Sequence, residues 1–423
     1  MLKVSYIIEN KKQVINALSK RNFDATKVIG ELEDYNSHRK KIQLELENIL
    51  SESNKLSKEI GNLIKSGNKD RADKIKEKTA KFKEATKELN SELNSIKDKI
   101  LDLLYKIPNI PNKDVPVGKG EDDNVQVYNS GDLPKLNSSA LPHWDLAKKY
   151  DIIDFELGNK ITGSGFPVYK GMGAKLQRSL ITFFLDMNID AGYNEVQIPY
   201  LVNENSGIGA GQLPDKEGQM YHIEKDNLYL IPTAEVPVTN IFKDVILNEN
   251  ELPKTITAFS PCFRREAGSY GAHVRGLNRL HQFDKVEILR VEHPEKSYHA
   301  LEEMVEHVKS IIDKLGVPYR VLKLCGSDLG FASAFTYDFE VYSAAQKKWL
   351  EVSSVSNFES YQSNRIKLRC RDSDGNIQLA HTLNGSALAL PRILATIIEN
   401  FQTEKGIVMP EVLIPYTGFS IIN

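Results

Sequence analysis

Cysteine is scarce in this sequence. Three occur in 423 residues (Cys262, Cys325 and Cys370), and none stands in a CxxC pair. An odd number without that spacing signals neither a disulfide framework nor a thiolate zinc site, so no zinc is expected. Net charge is equally small: 55 Lys+Arg against 57 Asp+Glu leave −2, and no global basic field advertises a polyanion. No apolar run approaches the roughly 18 residues that cross a membrane. The N-terminal MLKVSYIIENKK lacks the long apolar core of a secretory leader. The expectation is a protein of the reducing cytoplasm with no membrane partner. GxxxxGK[ST], GxSxG and HExxH are all missing, which leaves P-loop, nucleophile-elbow and zinc-protease chemistries without support. Gly207-Ile-Gly-Ala-Gly211 has the wrong glycine spacing for a dinucleotide site and reads as a flexible loop. His293 and His299 lack metal-site spacing and read as surface residues.

A local absence is more informative. From Arg39 to Lys106 there is no proline and almost no aromatic residue, while Lys, Glu, Asn, Ser and Leu dominate. Apolar residues recur every seven positions as Val28, Tyr35, Ile42, Ile49, Leu56 and Leu63, with Leu32, Leu46 and Ile60 four further on. After Lys65-Ser66-Gly67-Asn68-Lys69 a second register runs through Ile75, Phe82, Leu89, Ile96 and Leu103, with Leu93 and Ile100 beside it. Two heptad rows around a Gly-Asn turn predict a long antiparallel helical hairpin, each helix roughly 35 residues and about 50 Å long. A seam one stripe wide buries only itself, so the hairpin is expected to project as an arm. Residues 51–100 hold 13 Lys+Arg and 9 Asp+Glu, a local +4 that suits either a solvated face or a polyanion handle.

Lys106-Ile-Pro-Asn-Ile-Pro111 and the Pro/Gly/Asp-rich stretch after it predict an extended linker. The expected organisation is an N-terminal domain over 1–107, a linker over 108–131 and a second domain over 132–423. In the last, β-patterned runs (Glu195–Leu201, Thr255–Phe263, Leu280–Val291) mix with helical patterns (Ala174–Ala191, Glu295–Leu315, Leu388–Thr403) without strict βαβ alternation. That mixture predicts an α+β domain around a largely antiparallel sheet flanked by helices.

The stretch Ala258–Ile288 reads as strand, polar loop, strand. Period-two alternation puts Arg264 and Glu266 on one face of the first strand, and Phe283 and Glu287 on one face of the second. A guanidinium suits bidentate binding of phosphate or carboxylate, a ring suits stacking on a planar base, and carboxylates suit an ammonium or Mg²⁺. Downstream, Trp349–Phe358 is a predicted strand whose Glu351 and Ser354 are candidate ligands of a hard cation. His381–Arg392 reads as a glycine-containing turn (Gly385-Ser386-Ala387) leading into an apolar helix.

With these residues in view, the chain resembles the seryl-tRNA synthetases, a family of class II aminoacyl-tRNA synthetases. Gly173-Ala-Lys-Leu…Glu195-Val-Gln-Ile-Pro199 resembles motif 1 (about 173–203), the Phe263-Arg264-Arg265-Glu266 hairpin motif 2 (about 258–288), and the segment ending in Arg392 motif 3 (about 381–403). The helical hairpin, Thr233-Ala234-Glu235 and Arg264-Arg-Glu-Ala-Gly-Ser269 narrow the likeness to the serine-specific family.

The resemblance implies a serine–tRNA ligase: serine and ATP form seryl-adenylate and pyrophosphate, and the seryl group passes to the 3′ end of tRNA(Ser) or, where present, a selenocysteine tRNA. It also implies a homodimer through motif 1 and Mg²⁺ bound with ATP. Arg264 and Arg392 would be catalytic, meeting the α- and γ-phosphates. Arg265, Glu266, Arg279, Leu280, His281, Gln282, Phe283, Glu351, Val352, Ser353 and Ser354 complete the implied ATP site, with Glu351 and Ser354 also on the metal. Serine would meet Thr233, Ala234, Glu235, Arg264, Glu287, Asn384 and Ser386. The tRNA would meet Lys65, Lys69, Arg71, Lys74, Lys76, Lys78 and Lys83.

Two positions depart from the family pattern: Gly271-Ala-His-Val-Arg275 in the motif 2 loop, and Pro391, where a glycine is common. Two other readings compete. A ligase loading a carrier protein would lack the long hairpin, and an inactive RNA-binding paralogue would have lost some of Arg264, Glu266, Glu287, Glu351 and Arg392.

Overall fold

The computed structural model describes residues 1–215, 218–266 and 275–423. The chain divides into two compact units. One comprises Leu2–Ser19 and Phe23–Pro108; the other comprises Asn109–Asn423 with Met1 and Lys20–Asn22.

The first unit is dominated by two helices, α1 (Thr26–Lys65) and α2 (Lys69–Leu104). They meet at Ser66-Gly67-Asn68, where Gly67 takes φ +80°, a conformation that costs glycine nothing. Ile29, Leu32, Ile42 and Leu46 of α1 are buried with Leu93, Ile96, Ile100 and Leu103 of α2. Toward the turn the single stripe thins, and Leu56, Leu63, Ile75, Phe82 and Leu89 are only half-buried. At the other end the buried positions are Ile29 and Asn36, where the heptads point to Val28 and Tyr35. A straight helix of 3.6 residues per turn drifts from a strict 3.5 repeat, and the seam moves one residue.

The second unit is built on an eight-stranded sheet. In chain order its strands are β1 (Val125–Ser130), β2 (Asn194–Glu195), β3 (Lys254–Phe263), β4 (Gln282–Glu292), β5 (Tyr319–Lys323), β6 (Phe335–Ser343), β7 (Lys348–Glu359) and β8 (His381–Ala389). Their order across the sheet is β1-β5-β6-β7-β8-β4-β3-β2, antiparallel except for the short parallel β2–β3 pair. Four helices matter to the site: α3 (His143–Lys149), α4 (Gly171–Asp190), α6 (Ser297–Leu315) and α7 (Leu390–Asn400), with the short α5 (Glu235–Asn240) between α4 and α6 in the chain. Buried side chains of α6 recur as Leu301, Met304, Val305, Val308, Ile311 and Ile312, the one-sided pattern of a helix covering a sheet. With Leu176, Leu180, Phe183 and Phe184 of α4 and Ile393, Leu394, Ile397 and Ile398 of α7 they pack into one core on Val286, Ile288, Val321, Phe339, Val352 and Val355. Strand alternation sends Lys285, Glu287, Leu289 and Val291 to the opposite face, and Leu289 and Val291 join a second cluster there with Ala234 and Val238.

Several sequence expectations need correction. The stretch 108–131 supplies strand β1, whose residues pair with β5. Of Glu195–Leu201 only Glu195 lies in the large sheet; Leu201 begins a separate three-stranded sheet, and Pro199 between them has no N–H for a ladder. Gly207–Gly211 is no loop: Glu204–Ala210 is helical, capped by the Asn203 side chain and closed by Gly211 at φ +92°. Its glycines are packing positions, since a Cβ on Gly207 would meet Leu213 at 2.6 Å and one on Gly209 would meet Ile366 at 2.6 Å. Gly385 lies in strand β8, not in a turn; a Cβ there would meet Val355 of β7 at 2.9 Å, so glycine is what lets these two strands approach.

Candidate active site

The sheet face opposite the helices carries a buried polar cluster. Glu287 of β4 forms an ion pair with Lys285, two residues earlier on the same face, at 2.7 Å. Thr233 Oγ1 donates to Glu287 Oε2 at 3.3 Å, and the Glu235 backbone N–H donates to Thr233 Oγ1 at 3.2 Å. Glu235 opens helix α5, and its Oε1 accepts from Gln362 Nε2 at 2.6 Å. Ser386 of β8 is the register partner of Glu287. Asn384 Nδ2, buried and without a hydrogen bond of ordinary geometry among the described residues, faces the Glu235 carboxylate closely enough to favour its ionised form. Thr233, Glu235, Glu287, Asn384 and Ser386 thus form the buried polar floor of this sheet face, with Ala234 among the apolar residues beside it.

Burial, and then the charge of Glu287, push the Glu235 carboxyl up to about 7. The folded protein therefore keeps this proton after the unfolded chain has lost it. Between about pH 4.5 and pH 7 the unfolded state binds fewer protons, so this group's contribution to stability falls as pH rises, by roughly 3 kcal/mol in total. Glu235→Gln is expected to remove that slope. Urea unfolding of both proteins at pH 5 and pH 7.5 measures it, and an unchanged slope would place the titration elsewhere.

At the β3–β4 hairpin the sequence expectation needs one correction. Strand β3 ends at Phe263, so Arg264 and Glu266 lie beyond it, and Glu266 has φ +49°, which breaks period-two alternation. The Arg264 guanidinium sits over the Phe283 ring at 5.2 Å; its one side-chain hydrogen bond among the described residues is a long one, Nε to Pro232 O at 3.4 Å. Arg265 is exposed, its guanidinium 5.8 Å from the Tyr221 ring. Glu266 and Arg279 form an ion pair across the base of the intervening loop. His281 Nδ1 and the Tyr221 hydroxyl are 2.8 Å apart, and the imidazole stacks on Phe166. Gln282 is exposed. The departure at Gly271–Val274 lies outside the described residues.

The side chains of Leu280 and Val352 pack into the helix-side core. Ser353 Oγ is engaged with Ser386 O at 2.5 Å. On β7, Ser354 Oγ lies 3.5 Å from Glu351 Oε1. Arg392, in the first turn of α7 directly after Pro391, donates to Glu351 O at 2.9 Å and holds its carboxylate at 3.7 Å. Pro391 is tolerated there because a first-turn N–H has no helical acceptor. Asp338 of β6, opposite Ser354 in the strand register, was not anticipated. Its Oδ1 is buried with no hydrogen-bond partner among the described residues, and burial and then the Glu351 charge push its carboxyl upward. Two carboxylates and a hydroxyl on one patch of sheet are hard oxygen donors of the kind Mg²⁺ takes beside nucleotide phosphates.

Lys285, Gln362 and Asp338 are the polar residues that sequence reasoning missed. Strand alternation from Glu287 would have reached Lys285; nothing local marks the other two. In the helical unit, Lys65, Lys69, Arg71, Lys74, Lys76, Lys78 and Lys83 are all exposed. Lys76 pairs with Asp73 at 2.7 Å, and Lys78 lies 5.3 Å from the Phe82 ring. Among the described residues no helix is long and apolar enough to cross a membrane.

Residues 1–111 match the family model of the seryl-tRNA synthetase N-terminal domain, and residues 220–401 match that of the tRNA synthetase class II core domain (G, H, P, S and T). A serine–tRNA ligase of Salinibacter ruber is 49% identical over 356 residues, covering 84% of this chain and 83% of that protein. The crystal structure of seryl-tRNA synthetase from Pyrococcus horikoshii complexed with ATP superposes with a TM-score of 0.92 at 34% identity, covering 100% of this chain and 99% of the other. That of the cytoplasmic enzyme of Naegleria fowleri in complex with AMP gives 0.87 at 25% identity, with the same coverage. Two family models in chain order, and near-half identity over most of the length, establish that this chain belongs to the seryl-tRNA synthetase family of class II aminoacyl-tRNA synthetases.

Proposed function

We propose that the chain activates L-serine with ATP and transfers the seryl group to the 3′ end of tRNA(Ser). The observation that carries this reading is the buried floor of Glu235, Glu287 and Thr233 beside an arginine with few partners, Arg264. Glu235 takes the serine ammonium. Glu287 and Ser386 take the hydroxyl, with Asn384 beside them. A floor built to hydrogen-bond a hydroxyl rejects an alanine-like substrate strongly, because its polar groups would be left unpaired.

The serine carboxylate attacks the α-phosphorus, the bond to the β-phosphate oxygen breaks, and pyrophosphate leaves. The terminal ribose 3′-hydroxyl of the tRNA then attacks the acyl carbon and AMP departs. No protein nucleophile is required, so positioning and charge neutralisation carry catalysis. Arg264 bridges the α-phosphate and the serine carboxylate, Phe283 stacks on adenine with Glu266 near it, and Arg279 and Arg392 hold the polyphosphate. Mg²⁺ bound through Glu351 and Ser354, with Asp338 behind them, would neutralise phosphate charge.

The exposed cations around the helical turn suit the backbone of the tRNA, and a homodimer forms through motif 1. Supporting the latter, β2 is the terminal strand of the sheet, and Ile189, Tyr200 and Leu201 nearby in the chain are exposed apolar residues. A cytoplasmic location is part of the same reading. The test is serine-dependent ATP–pyrophosphate exchange followed by charging of tRNA(Ser). Both are expected; exchange with another amino acid but not serine would overturn the substrate assignment.

A further inference from the structure

A polar network centred on two fully buried side chains, His143 and Glu399, meets the chain at Leu277 and Asn278. The His143 and Glu399 side chains are both 0% exposed, with Nδ1 2.7 Å from Glu399 Oε1. The Leu277 backbone N–H donates to His143 Nε2 at 2.8 Å. That bond makes Nε2 the acceptor, which places the ring proton on Nδ1, donated to Glu399. Glu399 also accepts from the His143 backbone N–H at 2.8 Å, from Gln346 Nε2 at 2.9 Å, and from the Ser343 hydroxyl. Four donors on one carboxyl group satisfy its oxygens and fix its geometry.

The network closes on Arg392. Asn278, the residue after Leu277, accepts from Arg392 Nε through its carbonyl at 3.1 Å, and its side-chain amide donates to Gln346 Oε1 at 2.9 Å. Gln346 returns to Glu399, which lies on α7 seven residues after Arg392. The loop end is pressed onto the imidazole: Gly276 has φ +68°, and a Cβ there would lie 2.2 Å from His143 Nε2. Arg275 stacks over Trp144 at 4.7 Å, beside the same histidine. None of these groups but Arg392 has a role in the chemistry above.

We propose that His143 and Glu399 are positioning residues: they clamp the C-terminal end of the motif 2 loop at Leu277–Asn278, and through the Asn278 carbonyl aim the Arg392 guanidinium at the outer phosphates of ATP. The proposal rests on the reading of Arg392 as a polyphosphate contact. It separates nucleotides by phosphate number, since AMP keeps the α-phosphate and lacks the groups Arg392 would meet.

Equilibrium binding of ATP and of AMP to the full-length protein, with melting temperatures, tests it. His143→Asn keeps a donor near Nδ1 and loses the acceptor for Leu277; His143→Gln keeps an acceptor near Nε2. His143→Asn is expected to weaken ATP about tenfold, the equivalent of one buried hydrogen bond, and to leave AMP nearly unchanged, with His143→Gln restoring much of the loss. Arg392→Ala is expected to cut the preference for ATP over AMP by about tenfold or more, with Arg279 still in place. If it does so while His143→Asn weakens both nucleotides equally, or only lowers the melting temperature, the clamp is refuted and Arg392 keeps its role. If Arg392→Ala leaves the preference intact, the phosphate role and the clamp fall together. Should His143→Asn not fold, Gly276→Ala, which displaces the loop end from an intact histidine, is expected to give the same selective loss of ATP; equal loss of both nucleotides there also refutes the clamp.

Discussion

Arg264→Ala is expected to abolish serine-dependent ATP–pyrophosphate exchange, by about 10³-fold or more, while leaving the fold in place. The two effects separate because of where the side chain sits. It touches a ring face at 5.2 Å and makes one long hydrogen bond, so truncation removes about 1 kcal/mol or less of stability. Its donors are otherwise uncommitted among the described residues, which is the state expected of a group kept for substrate. In the proposed reaction it neutralises charge that builds on the α-phosphate as the serine carboxylate attacks. Losing one preorganised donor of that kind costs about 10²–10³ in rate, and Arg264 would supply two, to phosphate and to carboxylate. Arg264→Lys is expected to recover little, since a point charge cannot replace the bidentate fork. Exchange rates beside thermal melts decide the matter. Normal exchange in a folded Arg264→Ala protein would remove Arg264 from the site.

Why these residues and not others can be read from sequence has a physical basis. The β3–β4 hairpin, β7 and helix α7 are legible because strand and helix periods are local and each carries its charged residues at short spacing. Arg264, Glu287, Glu351 and Arg392 therefore stand out. Legibility ends where the period stops: Glu266 turns to positive φ just past the strand, and Gly385, which resembles a turn residue, is a strand glycine whose need comes from Val355 in another strand. The buried partners are illegible for a third reason. Gln362 meets Glu235 across 127 residues of sequence, and Glu399 meets His143 across 256. No window along the chain holds both members of either pair.

Deleting Arg39–Asp98 is expected to abolish charging of tRNA(Ser) while exchange stays within about twofold, because the residues proposed for serine and ATP lie in one compact unit and the cations proposed for tRNA in the other. The hairpin tolerates this cut at a definable place. Its helices run antiparallel, with His38 against Glu92 at 3.3 Å and the Lys99 ammonium over Tyr35 at 5.4 Å, so the chain ends left at 38 and 99 lie close enough for a short glycine linker. Ile29, Leu32, Ile100, Leu103 and Leu104 remain to bury the stump, whereas Ile42, Leu46, Leu93 and Ile96 leave together as a matched set. None of the proposed serine or ATP residues lies in the removed stretch, and all seven cations proposed for tRNA do. A milder variant locates the effect. Changing Lys65, Lys69, Arg71, Lys74, Lys76, Lys78 and Lys83 to glutamine keeps the hairpin, since all seven are exposed, and removes the cations proposed to meet phosphates. Each phosphate that is no longer neutralised should flatten the log–log salt dependence of tRNA binding by about 0.7–0.9. Equal loss of exchange and charging in the deletion, or an unchanged salt slope in the glutamine variant, would show that the hairpin serves the protein in some way other than by gripping tRNA.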